Sequence, residues 1–249
     1  VDMALIEFSN VVKKFNGQAV LNGLDFTVER GEVLCIVGPS GTGKSVTLKH
    51  LVRLLTPTSG IVTVDGTDVA AADEEMLAKL RGRIGYLFQS GALLAWKTVA
   101  ENVALPLEEC TDLADEEIAR KVAAALAAVE LTAAADKYPG EISGGMQKRA
   151  GLARAIVRET DIVLYDEPTS GLDPVTSVTI NQLIRKLNRS LGITSIVVTH
   201  DLQGALQIAD RILLLKGGQA VVCAKPEEFV RSALPAVREF LAAIQGGVQ

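Results

Sequence analysis

The 249-residue sequence lacks a long apolar run, although 48% of its residues are hydrophobic. A membrane-spanning helix needs about 20 consecutive apolar residues, and no uninterrupted run approaches that length. Much of the apolar content is alanine in residues 122–135, where Glu130 and Thr132 interrupt it. With 22% charged residues, the composition is typical of a globular core rather than of disorder. We expect a soluble protein.

Cysteine is scarce as well. Cys35, Cys110 and Cys223 are odd in number and far apart. We therefore expect no disulfide framework of the kind found in secreted domains, and the pattern fits a reducing cytoplasm. Cys35 lies in the apolar run 33–37, where a reduced cysteine packs as a small hydrophobe.

A surplus of basic residues is also missing. Lys and Arg total 25 against 30 Asp and Glu, which gives a net charge of −5. This balance argues against a broad nucleic-acid-binding face, so we expect no nucleic-acid partner. The chain has no internal repeat and no low-complexity linker, and its length suits one large α/β domain.

What the sequence does contain is an alternation of strand-like and helix-like segments. Short apolar runs typical of strands lie at 4–9, 33–37, 61–64, 84–88, 162–165, 193–199 and 212–215. Helical signals lie at 44–55, 99–107, 115–129, 144–158, 175–191 and 202–209. The alternation predicts the fold class α/β, with a mostly parallel core sheet, helices on its faces and a helical insertion.

The most specific motif lies between a predicted strand and a predicted helix, where residues 38–45 match G-x-x-x-x-G-K-[ST]. Its glycines let backbone N–H groups surround phosphate oxygens, and the helix N-terminus favours an anion. Lys44 supplies charge for the β- and γ-phosphates, and Ser45 a hydroxyl ligand for Mg²⁺. The predicted nucleotide site comprises Gly38, Pro39, Ser40, Gly41, Thr42, Gly43, Lys44, Ser45 and Val46. The alternative is a glycine-rich turn that only joins strand to helix.

A pair of carboxylates follows the apolar strand 162–165. Asp166 is placed to hold Mg²⁺, usually through water, and Glu167 to polarise the attacking water. Strand residues alternate in direction, so adjacent carboxylates can serve two roles. The alternative is that both are solvated residues at a strand end. The absence of an Asn-Lys-x-Asp motif argues against a GTPase.

Residues 142–147, Ile-Ser-Gly-Gly-Met-Gln, resemble the LSGGQ signature of ATP-binding cassette (ABC) proteins. The resemblance covers nearly the whole chain, with its motifs in the expected order. Gln89 resembles the family's Q-loop glutamine and residues 170–173 its D-loop. His200 resembles its switch histidine, and Phe15 the aromatic that stacks on adenine.

Three of these residues have structural alternatives. Asp173, directly before Pro174, is a good helix N-cap, and we expect it to serve both roles. A lone His200 or Phe15 is more often a packed core residue. The ordered set of motifs favours the functional role for His200.

The resemblance implies a P-loop NTPase of the ABC cassette type, with an antiparallel β region near the N-terminus. Within a single domain of residues 1–249, the RecA-like core would comprise residues 1–88 and 159–225. Residues 89–158 would form a helical signature subdomain, and residues 226–249 a short helical tail.

The resemblance also implies a mechanism, in which two cassettes pair head to tail and ATP lies between one chain's P-loop and the other's signature. Ser143, Gly144 and Gly145 would contact the γ-phosphate bound by the partner, with Asp173 in the same site. His200 would steady the γ-phosphate, and Gln89 would link Mg²⁺ and water to the helical insertion. The implied cofactors are ATP and Mg²⁺, the metal ligands Ser45, Gln89 and Asp166, and the catalytic residues Glu167, His200 and Gln89.

Departures from the signature indicate a subfamily. Ile142 and Met146 replace its first and fifth residues, and glutamine follows one place later at Gln147. Together with residues 87–94 and 102–107, this variant resembles the ATPases of Mla/Mce-type lipid transporters. The implied assembly is a homodimer on the inner face of the inner membrane, bound to permease subunits. An accessory regulatory subunit and a lipid-binding Mce-domain protein are further candidate partners.

Other functions remain open at this point. Within transporters, the chain could serve a small-solute importer, such as one for an amino acid, or a cell-division complex. ABC machines of DNA repair or translation usually carry a long coiled-coil insertion or two cassettes, and neither is present. A scaffold that does not hydrolyse ATP would not need Glu167 and His200.

Two surfaces carry further expectations. Helices around residues 92–107 would receive the coupling helices of a permease, and Leu93, Leu94 and Trp96 either contribute to that groove or pack in the core. Residues 226–244 are predicted to form a helical tail that packs on its own domain or on the partner cassette. The apolar face of this tail comprises Val237, Phe240, Leu241 and Ile244.

Overall fold

The computed structural model describes residues 4–246, with side chains through residue 243. The described residues form two compact units. The first unit contains the chain up to Leu80 and from Ile196 onward, and the second runs from Arg81 to Ser195. Each unit is described separately below.

The regular elements follow in chain order. The strands are β1 Ile6–Phe15, β2 Gln18–Val28, β3 Val33–Val37, β4 Ser59–Val64, β5 Thr67–Asp68, β6 Ile84–Leu87, β7 Ile162–Asp166, β8 Thr194–Thr199, β9 Arg211–Lys216 and β10 Gln219–Ala224. The helices are α1 Lys44–Leu51, α2 Glu74–Gly82, α3 Val99–Cys110, α4 Asp115–Ala128, α5 Gly144–Ile156, α6 Pro174–Leu191, α7 Leu202–Ile208, α8 Pro226–Arg231 and α9 Pro235–Gly246.

The first unit contains an antiparallel sheet in the order β2-β1-β4-β5. Its two-residue turns explain the hairpins. Asn16 (φ 48°) and Gly17 (φ 82°) connect β1 to β2, and Asp65 (φ 51°) and Gly66 (φ 74°) connect β4 to β5. Two consecutive positive φ angles define the tight turn whose twist matches paired strands. The expected antiparallel region is therefore confirmed.

The same unit contains the strands of the core sheet around β3, in the order β10-β9-β3-β8. β3 and β9 are parallel, from Leu34 opposite Arg211 to Val37 opposite Leu214. All five residues of β3 are buried. Cys35 is fully buried there, as predicted, because a strand covered on both faces excludes polar side chains.

In the second unit, β6 and β7 are parallel, from Ile84 opposite Ile162 to Leu87 opposite Tyr165. Helix α5 packs against α3, α4, α6 and β6. The approach to β6 is very close, since a Cβ on Gly85 would lie 2.2 Å from the Ala155 carbonyl oxygen. Glycine at position 85 therefore allows α5 to lie directly against the strand.

The α/β fold class with a parallel core sheet is confirmed, but several elements differ from the sequence prediction. Strands β2 and β10 and helix α2 were not predicted. The predicted helix 44–55 ends at Leu51, and the predicted tail is two helices rather than one, separated before Pro235. Proline has no backbone N–H and disfavours helix in the residue before it, which explains the interruption.

The tail prediction is partly tested by the described side chains. Val237 is fully buried, whereas Phe240 and Leu241 are half-buried. Helix α9 packs against α8 of the same chain. The side chain of Ile244 lies outside the described residues. Across residues 4–246, none of the helices combines the length and apolar character required to cross a bilayer.

Candidate functional site

The P-loop, residues 38–43, connects the buried strand β3 to helix α1 in the first unit. At the start of α1, the Thr47 N–H donates to the Gly43 carbonyl at 2.9 Å. N–H groups in the first turn of a helix have no partner within that helix and make its N-terminus partly positive. The loop therefore leads directly into a terminus suited to phosphate.

Two glycines determine how the P-loop lies on its own unit. A Cβ on Gly38 would lie 2.2 Å from the Leu215 carbonyl oxygen in β9. A Cβ on Gly43, which has φ 98°, would lie 2.8 Å from Leu21 Cδ2 in β2. Any other residue would push the loop away from these strands. A substitution at Gly38 meets backbone, which cannot move aside as a flexible side chain can.

Lys44 supplies the fixed charge of the loop. Its side chain is buried, and Nζ donates to the carbonyl oxygens of Gly38 at 2.9 Å and Pro39 at 3.0 Å. The Thr42 hydroxyl also donates to the Pro39 oxygen, at 2.9 Å. The ammonium and the loop backbone thus hold each other in one shape. A closely packed glycine loop with the Lys44 ammonium held in place is suited to bind the phosphates of a nucleoside triphosphate.

Phe15 and His200 also lie in the first unit. Phe15 is the last residue of β1 and is 41% exposed, so its ring does not pack in the core. Lys13 Nζ lies 5.1 Å from the centre of that ring, within the range of a cation–π contact. His200 is exposed and directly follows β8, and Asp201 begins α7 by accepting the Gly204 N–H at 2.9 Å. Both side chains are therefore accessible to a ligand.

In the second unit, Asp166 ends the fully buried strand β7 and is itself 6% exposed. Its Oδ2 accepts a hydrogen bond from the Tyr86 hydroxyl at 3.3 Å. Burial, with the nearby Asp166 carboxylate, raises the pKa of Tyr86, so the phenol stays protonated and remains a donor. The Tyr86 ring stacks on Phe88 at 4.1 Å. The carboxylate is thereby oriented, as a metal-holding group requires.

Glu167 follows with φ 50°, in the left-handed region. This conformation costs about 1–2 kcal/mol for a residue with a Cβ and is concentrated at functional sites. The buried strand ends at Asp166, and the left-handed residue after it changes the chain direction. The backbone of Glu167 is therefore under local strain at the position predicted to activate water.

The signature segment begins helix α5. The Ser143 hydroxyl caps the helix by accepting the Met146 N–H at 3.3 Å, and Ser143 is exposed. Gln147 Nε2 donates to the carbonyls of Pro139 at 2.9 Å and Ile142 at 3.4 Å, which fastens the preceding segment to the helix. The glutamine displaced by one place thus has a structural role. The replacement at position 146 leaves the serine and glycines of the helix start in place.

The D-loop ends at the start of α6. Asp173 Oδ1 accepts the N–H groups of Val175 and Thr176, each at 3.0 Å, and its Oδ2 accepts the Thr176 hydroxyl. The predicted N-cap role of Asp173 is confirmed. The hydroxyl bond lowers the pKa of Asp173, so the cap stays ionised. A Cβ on Gly145 would lie 2.4 Å from Thr176 Cγ2, so signature and α6 are in close contact.

Two structurally important residues were not identified as such from the sequence. Lys148, on α5, is buried and contacts two separate segments, described below. Asn102 is fully buried, accepts the Leu94 N–H at 2.7 Å, and donates to the carbonyls of Leu94, Lys97 and Thr98 at 2.9–3.0 Å. It fixes the segment that presents Trp96, which is 74% exposed. Asn102 is the first residue of the 102–107 motif, and its buried hydrogen bonds give that motif a structural explanation.

The predicted site residues are divided between the two units. Phe15, residues 38–46 and His200 lie in the first unit, and Gln89, Asp166, Glu167, residues 143–145 and Asp173 lie in the second. Fold and site together define a P-loop nucleotide-binding domain.

Comparison with known proteins places this domain in a family. A family model described as ABC transporter matches residues 21–170. The "Probable ribonucleotide transport ATP-binding protein mkl" of Mycobacterium tuberculosis is 42% identical over 95% of this chain and 66% of its own length. The "Methionine import ATP-binding protein MetN" of Caulobacter vibrioides is 41% identical over 98% of this chain and 74% of its own length. The chain belongs to the ABC transporter family.

Solved structures agree with this assignment. The ATP-binding cassette MJ0796, a dimer bound to ADP and Pi after hydrolysis, has a TM-score of 0.80 and 35% identity over 89% of this chain and 98% of its own. CbiO1 from Clostridium perfringens, described as part of the ABC transporter complex cbiONQ, has a TM-score of 0.86 and 27% identity over 97% of this chain and 100% of its own. The fold is that of an ABC cassette.

Proposed function

We propose that this chain is the ATP-binding and ATP-hydrolysing subunit of an ABC transporter. The observation that carries the proposal is the P-loop, in which closely packed glycines and the Lys44 ammonium form a phosphate site. The family assignment supports it, as do the oriented carboxylate of Asp166 and the left-handed Glu167. The chain spans 66% of the mkl relative's own length.

The proposed roles follow from chemistry. Lys44 binds the β- and γ-phosphates, and Ser45, Gln89 and Asp166 hold Mg²⁺. The ion, when bound, neutralises charge on the phosphate oxygens. Glu167 accepts the proton of the attacking water, since an ionised carboxylate is a suitable general base. We propose that His200 contacts the γ-phosphate and that Phe15 stacks on the adenine ring. Both side chains are exposed and therefore accessible to a ligand.

We also propose that two copies pair head to tail, so that each ATP is completed by the partner's signature. Ser143 and Gly144 are exposed at the start of α5, where a serine hydroxyl and a helix N-terminus favour an anion. Ser143 Oγ accepts the Met146 N–H at 3.3 Å, and its hydroxyl hydrogen can be donated to a charged phosphate oxygen. The dimeric cassette MJ0796 supports this arrangement.

The paired arrangement predicts complementation between two inactive variants. Lys44→Ala removes the phosphate charge of a chain's own loop, whereas Ser143→Arg blocks the signature offered to its partner. A mixed pair keeps one site with both halves intact. We expect neither variant alone to pair with ATP, and an equimolar mixture to form an ATP-dependent dimer, measured by size-exclusion chromatography with light scattering. A mixture that stays monomeric in ATP contradicts the half-site arrangement.

Membrane subunits would receive the energy of this cycle. We propose that the chain binds, on the inner face of the inner membrane, to a permease through the surface around Trp96. This large apolar side chain is 74% exposed, and buried Asn102 holds its segment in place. Leu93 and Leu94 are only half-buried, which permits them to contribute. Exposed aromatic residues of this kind are favoured in protein interfaces.

The transported substrate is proposed to be a lipid, on the basis of the Ser-Gly-Gly-Met signature and the motifs 87–94 and 102–107, which resemble Mla/Mce-type ATPases. A second candidate is an amino acid, because relatives named for methionine import are 39–42% identical to this chain. The mkl relatives are named for ribonucleotide transport. Since the motif containing Asn102 has a structural explanation, the lipid hypothesis rests mainly on the signature variant.

Purification from native membranes distinguishes these substrates. We expect the tagged chain to retain a multi-span permease, an Mce-domain protein and bound phospholipid, and Trp96→Asp to lose the permease because a carboxylate cannot enter an apolar interface. Exposed Lys186→Asp is a matched surface control. Mass spectrometry identifies the retained proteins and lipids. Retention of a periplasmic amino-acid-binding protein, with no Mce-domain protein, would favour the importer instead.

A further inference from the structure

Lys148 is a buried lysine within the second unit, on helix α5 after the signature. Its side chain is 6% exposed. Nζ donates to three oxygens, namely the Gln89 carbonyl, the Glu167 carbonyl at 3.2 Å and the Ser170 hydroxyl at 3.4 Å. A lysine ammonium has three N–H donors, so each has one acceptor.

Burial and the neighbouring carboxylates act on the pKa of Lys148 in opposite directions. Burial lowers the pKa of Lys148, while the nearby carboxylates of Glu167 and Asp166 act in the opposite direction and favour the ammonium. A buried cation whose three protons are all accepted holds its neighbours firmly, because losing any one bond leaves it poorly compensated.

The three acceptors belong to two different segments of the predicted catalytic machinery. Gln89 follows β6 and is the proposed metal and water contact. Glu167, the proposed general base, and Ser170 lie in the turn after β7 that leads to the Asp173 cap. Gln89, Glu167 and Ser170 are separated by 59, 19 and 22 positions, respectively, from Lys148 in the chain. A single side chain therefore connects them to the helix that starts at the signature.

The hydrogen bond from Lys148 to the Glu167 carbonyl affects the direction in which the Glu167 carboxylate points. Glu167 has φ 50°, a conformation that persists only where surrounding contacts enforce it. Lys148 holds the carbonyl of this same residue and thereby the orientation of its peptide group. The Ser170 N–H also donates to this carbonyl, at 3.1 Å, so the turn 167–170 and Lys148 hold the peptide group jointly. Without the bond from Lys148, only the turn holds it, and the carboxylate is aimed less firmly.

The segment after β6 is attached to α5 at a second point. Arg154 donates to the carbonyls of Gly91 and Ala92, each at 2.8 Å. A Cβ on Gly151 would lie 3.2 Å from the Gly91 oxygen, so helix and segment touch directly. Residues 89–92 are thus fastened to α5 at both ends, by Lys148 and by Arg154.

We propose that Lys148 is a positioning residue for ATP hydrolysis, which holds the backbone of Glu167 and Gln89 on the signature helix so that the carboxylate is aimed at water. This inference rests on the proposed ATPase function. It assigns Lys148 no contact with nucleotide. The residue acts on the rate of the chemical step through the geometry of Glu167, and ATP binding at the P-loop does not depend on it.

The test compares Lys148→Met, which keeps length but removes the cation, with Lys148→Arg in the full chain. Lys186→Met is the matched control, because Lys186 forms an exposed ion pair with Glu130 in the same unit. We expect Lys148→Met to lower kcat about 10- to 100-fold, the range for a slightly misplaced catalytic group, with KM for MgATP within about threefold. Lys148→Arg should recover at least half of that loss on a logarithmic scale, and Lys186→Met should match wild type.

Hydrogen exchange separates positioning from general destabilisation and needs no turnover. In Lys148→Met, amides in residues 87–92 and 166–171 should exchange faster while the rest of the second unit keeps its protection. An unchanged kcat, unchanged exchange in both segments, or a loss of protection spread over the whole unit would each overturn the proposal. If the wild-type chain hydrolyses no ATP, the proposed function fails, and the exchange comparison still decides whether Lys148 holds both segments.

Discussion

Lys44→Ala is expected to abolish ATP binding and hydrolysis by this chain. The alanine removes a charge-assisted contact to phosphate, and contacts of this kind contribute about 1.5–3 kcal/mol each. It also removes the donor to the Gly38 and Pro39 carbonyls, which holds the loop in shape. A combined loss of about 3 kcal/mol or more corresponds to at least about 100-fold weaker binding. Isothermal titration with MgATP measures the affinity, and phosphate release measures turnover.

The matched control for this variant is Lys49→Ala, since Lys49 lies on the same helix but in its last turn. It should leave ATP affinity within about twofold of wild type, because its charge lies more than one helical turn from the loop. Thermal unfolding of Lys44→Ala should stay close to wild type, as removing a buried cation also removes its desolvation cost. ATP binding of wild-type strength in a folded Lys44→Ala chain would show that the loop is not the phosphate site.

Several of the site residues that the sequence predicts lie within a few residues of the elements that they begin or end. The P-loop follows a buried strand and precedes a helix, and both are visible as local patterns in the sequence. Asp173 shows the same locality, since its cap partners are Val175 and Thr176. The local geometry of such a motif is determined by residues that are close in sequence, so it can be predicted without knowledge of tertiary contacts.

The contacts of Lys148 are long-range, and local sequence patterns do not predict such contacts. Two of its acceptors, on Glu167 and Ser170, lie in one turn, but Gln89 is far from that turn in the chain, so no spacing in the sequence signals their meeting at Lys148. The left-handed conformation of Glu167 is hidden for a related reason. Glycine or asparagine at that position would have predicted a positive φ, whereas glutamate gives no such signal.

The elements missing from the sequence prediction have their own signals. Asn16-Gly17 predicts the hairpin that begins β2, and Gly217-Gly218, with φ 60° and 77°, predicts the one that begins β10. Helix α2 is harder, because only Leu77 and Leu80 are buried among its nine residues. Two buried positions give a weak helical pattern, so tertiary packing, not periodicity, determines that helix.

Glu167→Gln is the second change expected to have a large effect, and it should separate ATP binding from hydrolysis. Glutamine keeps the size of the side chain but cannot accept the proton of water at neutral pH, and general-base catalysis typically contributes 10²–10⁴-fold to rate. We therefore expect kcat to fall by about that factor while ATP affinity is retained. Because Lys44 and the signature are untouched, paired chains holding unhydrolysed ATP should accumulate, which light scattering after gel filtration detects.

Glu159→Gln provides a closely matched control, since Glu159 also has a positive φ, of 57°, but is exposed and ion-paired to Lys121. Losing an exposed ion pair costs at most about 1 kcal/mol of stability, so its turnover should equal that of wild type. If Glu167→Gln and Glu159→Gln hydrolyse ATP at the same rate, Glu167 is not the base. In that case the left-handed turn after β7 serves only to direct the chain from Asp166 toward the cap at Asp173, and another group must activate the water.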